Sequence, residues 1–290
     1  VAKGSSLVWF GLMLAGCLDT GQARVQVPLS VAGTELVGDV VTKGDVPLTV
    51  ERADLAFGPL VLCPGNTAGE LCETARLEWL DAVVVDTLDV TPRQVGLLEG
   101  VTGQVRSWMY DLGITSQLTE ESPVPLPAAE DLGDASFVLE ARTSVAGQEV
   151  PVRAFVAVQQ TEDTELGVPV IRKSASELFD RDVQEGEAGL RVTFDPSPWI
   201  ARLDLRPLLD PGSCAPGGPP TVCDGPLNQE CAEDGTVVVA VDCSVEGQVC
   251  VQGRGCVDAL ILDSSTSGYD ALRLALLAGE RPVFSWSPAP

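Results

Sequence analysis

The sequence contains no histidine, and lysine occurs only as Lys3, Lys43 and Lys173. The first absence excludes a Ser-His-Asp triad, a Cys-His dyad and any imidazole-ligated zinc or copper centre. The second removes a lysine-rich phosphate cradle, and the chain has neither G-x-x-x-x-G-K-[ST] nor a helix-opening G-x-G-x-x-G. Basic residues number 18 against 42 acidic ones, a formal net charge of −24 over 290 residues. So acidic a chain repels phosphates and lacks the Lys/Arg face that releases counterions, so nucleic acid is not an expected partner. The ordinary consequence of such a charge is to keep the protein dispersed in water. Hydrophobic residues still make up 45%, enough for a sizeable core, and the length fits one large or two modest domains.

The chain begins VAKGSSLVWFGLMLAGC. Lys3 precedes an apolar run from Leu7 to Leu14, well short of the ~20 residues a membrane-spanning helix needs. A charged start, a short apolar stretch and small residues before a cleavage point form a signal-peptide pattern. The tetrad Leu14-Ala15-Gly16-Cys17 resembles the lipobox of bacterial lipoproteins. That resemblance implies a diacylglyceryl group on the Cys17 thiol, cleavage before Cys17, and a globular part held outside the cytoplasm in the cell envelope. Residues 1–16 would then be the signal peptide and 17–24 a lipidated tether. Leu18 stands where enteric lipoproteins retained on the inner membrane carry Asp, so the resemblance points to the outer membrane. One acyl chain anchors a protein only marginally, at ~0.8 kcal/mol per buried methylene, whereas two or more hold it firmly.

With Cys17 lipidated, eight of the nine cysteines remain, an even number that suits disulfide pairing in an oxidising compartment. Cys63 and Cys72 bracket CPGNTAGELC, and the turn residues Pro64, Gly65 and Asn66 favour a bond between them. Closing such a loop is worth about 2–3 kcal/mol. Cys214, Cys223, Cys231, Cys243, Cys250 and Cys256 lie in a second segment, for which 15 pairings are possible. No C-x-x-C pair and no histidine support a zinc site there. This segment resembles small disulfide-rich modules of bacterial surface proteins, a likeness that implies no activity. It is too small and polar to bury a core of its own, so disulfides are expected to replace one.

From Arg24 onward the dominant period is two, as in Val25, Val27, Leu29 and Val31 or Val46, Leu48 and Val50. Further Val-rich runs include 76–79, 101–112, 136–141, 150–158, 190–194 and 199–205, each bounded by Gly, Pro, Asp or Ser. Ala146-Gly147-Gln148 reads as a hairpin turn. The expected fold is all-β: an antiparallel β-sandwich over 25–207, a disulfide-rich insertion over 208–257, and a return over 258–290 with a short C-terminal helix and a closing strand. That helix is expected at Ser267–Ala278, with Gly279 as a C′ glycine, followed by a strand over 282–286. A short helical stretch is also expected at Ser174–Phe179. Trp79, Trp108, Trp199 and Trp286 are read as core packing in preference to a sugar-stacking platform.

Few residues suggest chemistry. Asp180, Asp182, Glu185 and Glu187 in DRDVQEGEAG offer hard oxygen ligands that suit calcium, although no EF-hand pattern surrounds them. Such a loop is otherwise a solvated acidic turn. The carboxylates Glu162, Asp163 and Glu165 form a weaker group. A carboxylate-pair hydrolase does not need histidine, but with 42 acids the pairing has no specificity. Lys173-Ser174 lacks the S-x-x-K spacing of a Ser-Lys hydrolase, and neighbours on a strand face opposite ways. The expected function is therefore that of a non-catalytic, membrane-anchored cell-envelope lipoprotein with a structural or interaction role, its partner an unknown protein or glycan of the envelope. A calcium- or glycan-binding module and a carboxylate-based hydrolase are the alternatives.

Overall fold

A computed structural model describes residues 21–66, 72, 74–115, 124–145, 147–158, 173–176 and 179–287. The lipobox with Cys17, and the group Glu162, Asp163 and Glu165, lie outside the described residues. The period of two becomes strands β1 (Arg24–Ala32), β2 (Val40–Val41), β3 (Pro47–Phe57), β4 (Leu60–Cys63) and β5 (Leu77–Trp79). Next come β6 (Val83–Asp86), β7 (Arg93–Val101), β8 (Gly103–Val105) and β9 (Ser107–Tyr110), then a 3-10 turn at Pro127–Leu132. β10 (Phe137–Val145) and β11 (Gln148–Val156) follow, then β12 (Lys173–Ala175), β13 (Arg181–Val183) and β14 (Leu190–Thr193). Two single-turn helices, α1 (Ser197–Ile200) and α2 (Arg206–Leu209), lead to β15 (Thr221–Asp224), β16 (Leu227–Cys231) and β17 (Val237–Asp242). A 3-10 turn at Cys243–Glu246 precedes β18 (Val249–Val251) and β19 (Gly255–Val257). The chain then gives β20 (Leu260–Leu262), α3 (Ser267–Ala278) and β21 (Val283–Trp286).

The fold is a β-sandwich. One sheet has eight strands in the order β12-β9-β4-β5-β7-β1-β14-β21; the other runs β2-β3-β10-β11-β20, with β6 also paired to β3. Along β1, Val25, Val27, Leu29 and Val31 turn inward while Arg24 and Gln26 face water. Between the sheets, Leu29, Leu98 and Leu190 share one core with Leu55, Phe57, Phe137, Leu139 and Val152. Phe57 meets Phe194 edge-on at 5.1 Å between ring centroids, a favourable aromatic geometry. The hairpin between β10 and β11 pairs Val145 with Gln148, leaving the expected tight turn, and Gly147 adopts φ 83°, which a side chain would resist. Among the described strands, pairing is antiparallel except at β1–β14 and β11–β20, which run parallel. Both exceptions use chain that arrives late: β14 after a long excursion, and β20 after the cysteine-rich segment.

Four local expectations are corrected. The run 101–112 is broken into the end of β7, β8 and β9, because Gly103 takes φ 127° and diverts the chain. Residues 173–175 form a strand rather than the start of a helix, since Lys173, Ser174 and Ala175 pair with Met109, Trp108 and Ser107. The run 199–205 opens as helix α1: Pro196 and Pro198 preset helical φ, and the Asp195 side chain accepts from the Ser197 amide at 2.9 Å. Gly279 ends α3 without a left-handed φ. It sits at φ −78°, ψ −156°, donates to the Ala275 carbonyl, and leaves no room for a Cβ against that oxygen. At the other end of α3, the Thr266 hydroxyl accepts from the Tyr269 amide, an N-cap.

Candidate functional site

The eight described cysteines form four disulfides: Cys63–Cys72, Cys214–Cys231, Cys223–Cys250 and Cys243–Cys256. Cys63 ends β4 beside β9, so its bond staples a surface loop to the eight-stranded sheet. The other three bonds define the insertion. It contains the sheet β15-β16-β17 and the hairpin β18-β19. Its own buried cluster consists of Cys223, Cys243 and Cys250, with Cys256 against them. Sulfur thus occupies the place that leucine and valine hold in the sandwich, as a short polar segment requires.

The insertion is moored to the sandwich on one side. Val249 and Val251 belong to the main apolar core. Arg254 donates to Asp263 at 2.9 Å and to the Ile261 carbonyl at 2.9 Å, joining the β18–β19 turn to the end of β20. Hydrogen bonds from Ser265 and the charge of Arg254 hold the Asp263 carboxyl below the usual carboxylate range. Gln148 of the β10–β11 hairpin donates to the Gln248 carbonyl at 2.8 Å. A groove of about 580 Å³ runs between that hairpin and the residues Gly225, Pro226, Ser244 and Gly247 of the insertion.

The acidic loop is organised by an arginine. Arg181 donates to Glu187 at 2.6 Å, and Glu187 is well buried for a carboxylate. Glu187 also accepts from the Gln184 amide, and Asp182 accepts from the Gln184 side chain at 2.8 Å. Asp180 and Glu185 are exposed. Among the described residues, no three carboxylates or thiols converge in a way that would hold a metal ion. Two of the four carboxylates, Glu187 and Asp182, therefore serve first as partners for Arg181 and Gln184. The arginine itself lies over the Trp286 ring at 5.7 Å, a cation–π contact.

The tryptophans pack inward. Trp79, Trp108 and Trp199 are buried. The Trp199 indole donates to the Glu280 carbonyl at 3.1 Å and its ring meets Phe137 edge-on. Trp286, half-buried, stacks on Phe179 and donates to its carbonyl. Ser174 is half-buried on β12. A second groove, of about 560 Å³, lies on the open face of the eight-stranded sheet, where Arg24, Gln26, Glu78 and Glu99 meet. Glu78 and Glu99 stand directly across from each other on β5 and β7, and Glu99 accepts from Gln26 at 3.0 Å. Both carboxylates are exposed to water on this face. Reading the sequence did not single out this pair, because its two halves are 21 residues apart and only the register of β5 on β7 joins them.

One surface feature also went unforeseen. β17 covers the apolar run that follows Thr236, and all six of its residues face solvent. Among the described residues, five of the fourteen exposed large apolar side chains fall between Val237 and Val245. The signal was legible as an apolar run inside a polar, cysteine-rich segment. No helix among the described residues is long and apolar enough to cross a membrane.

No protein-family model matches the chain, and no curated protein matches it. Among solved structures, MbnP from Methylosinus trichosporium aligns with 63% of this chain and 79% of its own at 10% sequence identity and a TM-score of 0.32, a likeness too distant to carry an argument about either fold or function.

Proposed function

We propose that this chain is a lipid-anchored protein of the bacterial cell envelope, held at the membrane through Cys17 and acting by binding a partner, not by catalysis. The observation that carries the reading is the use of sulfur. Eight of nine cysteines are joined in four disulfides, and the ninth is the cysteine of the lipobox-like tetrad. Disulfides on this scale belong to compartments outside the cytoplasm. The first strand begins at Arg24, seven residues beyond Cys17. An extended tether of that length spans at most about 25 Å, so the sandwich would stand close to the membrane surface. Leu18 after the cysteine favours the outer membrane. A binding role fits a surface with open grooves and an exposed apolar strand, and the partner is a protein or glycan of the envelope.

Expression of the full chain in a Gram-negative host, followed by membrane fractionation and mass spectrometry, tests the reading. The expected product begins at Cys17, carries a diacylglyceryl group and has no free thiol. A Cys17→Ser variant is expected to leave the membrane fraction. Recovery of an unmodified chain that retains residue 1, or of a cytosolic product with reduced cysteines, would overturn the proposal.

A further inference from the structure

We infer that the outer edge of β17 is a docking strand for an extended polypeptide segment that alternates small apolar residues and is flanked by lysine or arginine. This rests on the binding role proposed above and gives the partner its chemistry. Three observations lead to it. First, β17 pairs with β16 on one side, and among the described residues no strand covers its other side. The Cys243 amide donates to the Pro226 carbonyl across the Leu227–Asp242 pair. Alternation along an antiparallel ladder then turns the peptide groups of Ala240 and Asp242 outward, ready to pair with another strand. Second, the edge is only lightly protected. Natural edge strands are blunted by Lys, Pro, inward charges or bulges. Val237–Val241 carries no Lys, Pro or inward charge, and its one bulge, at Val238, lies short of the outward groups of Ala240 and Asp242. Val237, Val238, Val239 and Val241 are each at least 42% exposed, and Val245 beside them is 81% exposed. Water-facing valine on both faces of a free edge suits strand addition, where main-chain bonds supply affinity and alternate side chains supply choice.

The third observation sets the charge of the occupant. Glu230, Glu233, Asp234, Asp242 and Glu246 surround the strand, all exposed. Hydrogen bonds from Thr236 keep the Asp234 carboxyl below the usual range, so it stays ionised. Across 208–257 there are seven carboxylates and a single cation, Arg254, which is already bonded to Asp263. A second copy of this chain would bring the same acidic frame and a net charge of −24 to the same edge. Like charges facing one another across an interface disfavour that pairing, while a cationic strand is drawn in and held in register. The occupant is therefore a basic strand and not another copy.

The test uses the full oxidised chain in detergent micelles and two synthetic peptides. Both have an alternating Val/Thr centre; one is flanked by lysines and the other by glutamates. The lysine-flanked peptide is expected to bind at least about tenfold more tightly, with a gap that narrows at high salt. Ala240→Pro removes an outward N–H without touching the ladder to β16, and is expected to weaken binding about tenfold or more. Disulfide mapping that returns Cys214–Cys231, Cys223–Cys250 and Cys243–Cys256 shows that the insertion remains folded. Should Ala240→Pro disturb the disulfides, the exposed double variant Val239→Lys/Val241→Lys decides instead, and is expected to repel the lysine-flanked peptide. Equal affinity for both peptides, no binding of the lysine-flanked one, or unchanged binding by the variant that folds would overturn the inference. Self-association through β17 that Ala240→Pro dissolves would also overturn it, by giving the edge to a second copy. Failure here leaves the lipid at Cys17 untouched, and an unlipidated Cys17 leaves peptide binding untouched, so the two proposals fail separately.

Discussion

In the sandwich, Leu29, Leu55, Leu98 and Leu139 are fully buried among apolar neighbours from two sheets, whereas the insertion's own buried cluster is Cys223, Cys243 and Cys250. The two regions are continuous in chain and share a boundary at Val249 and Val251, yet they are ordered by different forces. Removal of apolar area from water drives the first. Constraint of the unfolded chain supports the second, because 50 residues with so many Gly, Pro and Asp bury too little surface to offset their conformational entropy. The difference teaches where function can sit. A region ordered by covalent bonds need not hide its apolar side chains, and β17 displays them.

Full reduction should separate the regions most sharply. Thiol reductant is expected to unfold the insertion, making 214–256 sensitive to protease, while the sandwich keeps its structure. Trp79, Trp108, Trp199 and Trp286 all lie in the sandwich, so their fluorescence is expected to stay native. A red-shifted tryptophan spectrum at the same reductant concentration would show that the regions depend on one set of forces. Next in size, Leu98→Ala is expected to destabilise the sandwich by about 3–5 kcal/mol, read as a shift in the denaturation midpoint by tryptophan emission. The paired change Cys223→Ser with Cys250→Ser is expected to cost the insertion about 3–4 kcal/mol and to leave that midpoint in place. An equal shift in both regions would count against the division.

The smallest expected effect concerns the mooring. Asp263 is held below the ordinary carboxylate range in the folded chain, so its contribution is fully present above that range and is lost as pH falls through the lowered value. Asp263 is substantially exposed and Arg254 half-buried, so solvent screening limits the pair to about 1 kcal/mol at most. Arg254→Ala is expected to raise hydrogen exchange in β18 and β19 at neutral pH and to weaken that acid-side dependence, the part held by the Ser265 hydrogen bonds remaining. Added calcium is expected to leave the melting temperature unchanged while Arg181 holds Glu187, measured by a thermal scan with and without the ion. A clear upward shift that Asp180→Ala with Asp182→Ala abolishes would instead favour the calcium-binding alternative.

Strand-forming runs were legible because alternation reports which side chains share a face, as along β1 and through the β10–β11 hairpin. Strand direction was not, since a period of two is the same for parallel and antiparallel neighbours, and β14 and β20 pair parallel. β7 was hard to see because RQVGLLEGV interrupts its apolar pattern with glycine. The structure gives the reason: a Cβ at Gly96 would strike the Trp79 indole, and one at Gly100 the Arg76 carbonyl. The bond Cys63–Cys72 could be read from its local turn, but the other pairings depend on how β15 meets β18, how the 3-10 turn at Cys243 meets β19, and how the chain at Cys214 returns to β16. The exposure of β17 is a tertiary property. Nothing in TVVVAVD distinguishes a strand at the centre of a sheet from one at its rim.

The Leu208 carbonyl accepts from the Gln252 amide at 3.0 Å, so chain leaving the sandwich at α2 touches chain about to rejoin it at β20. The insertion hangs from a narrow neck. Such a joint makes the appendage exchangeable over evolutionary time. Another cassette that closes the same gap and supplies two plugs in place of Val249 and Val251 would leave the strand order of the frame intact. The surface of the appendage would then vary independently of the sandwich core.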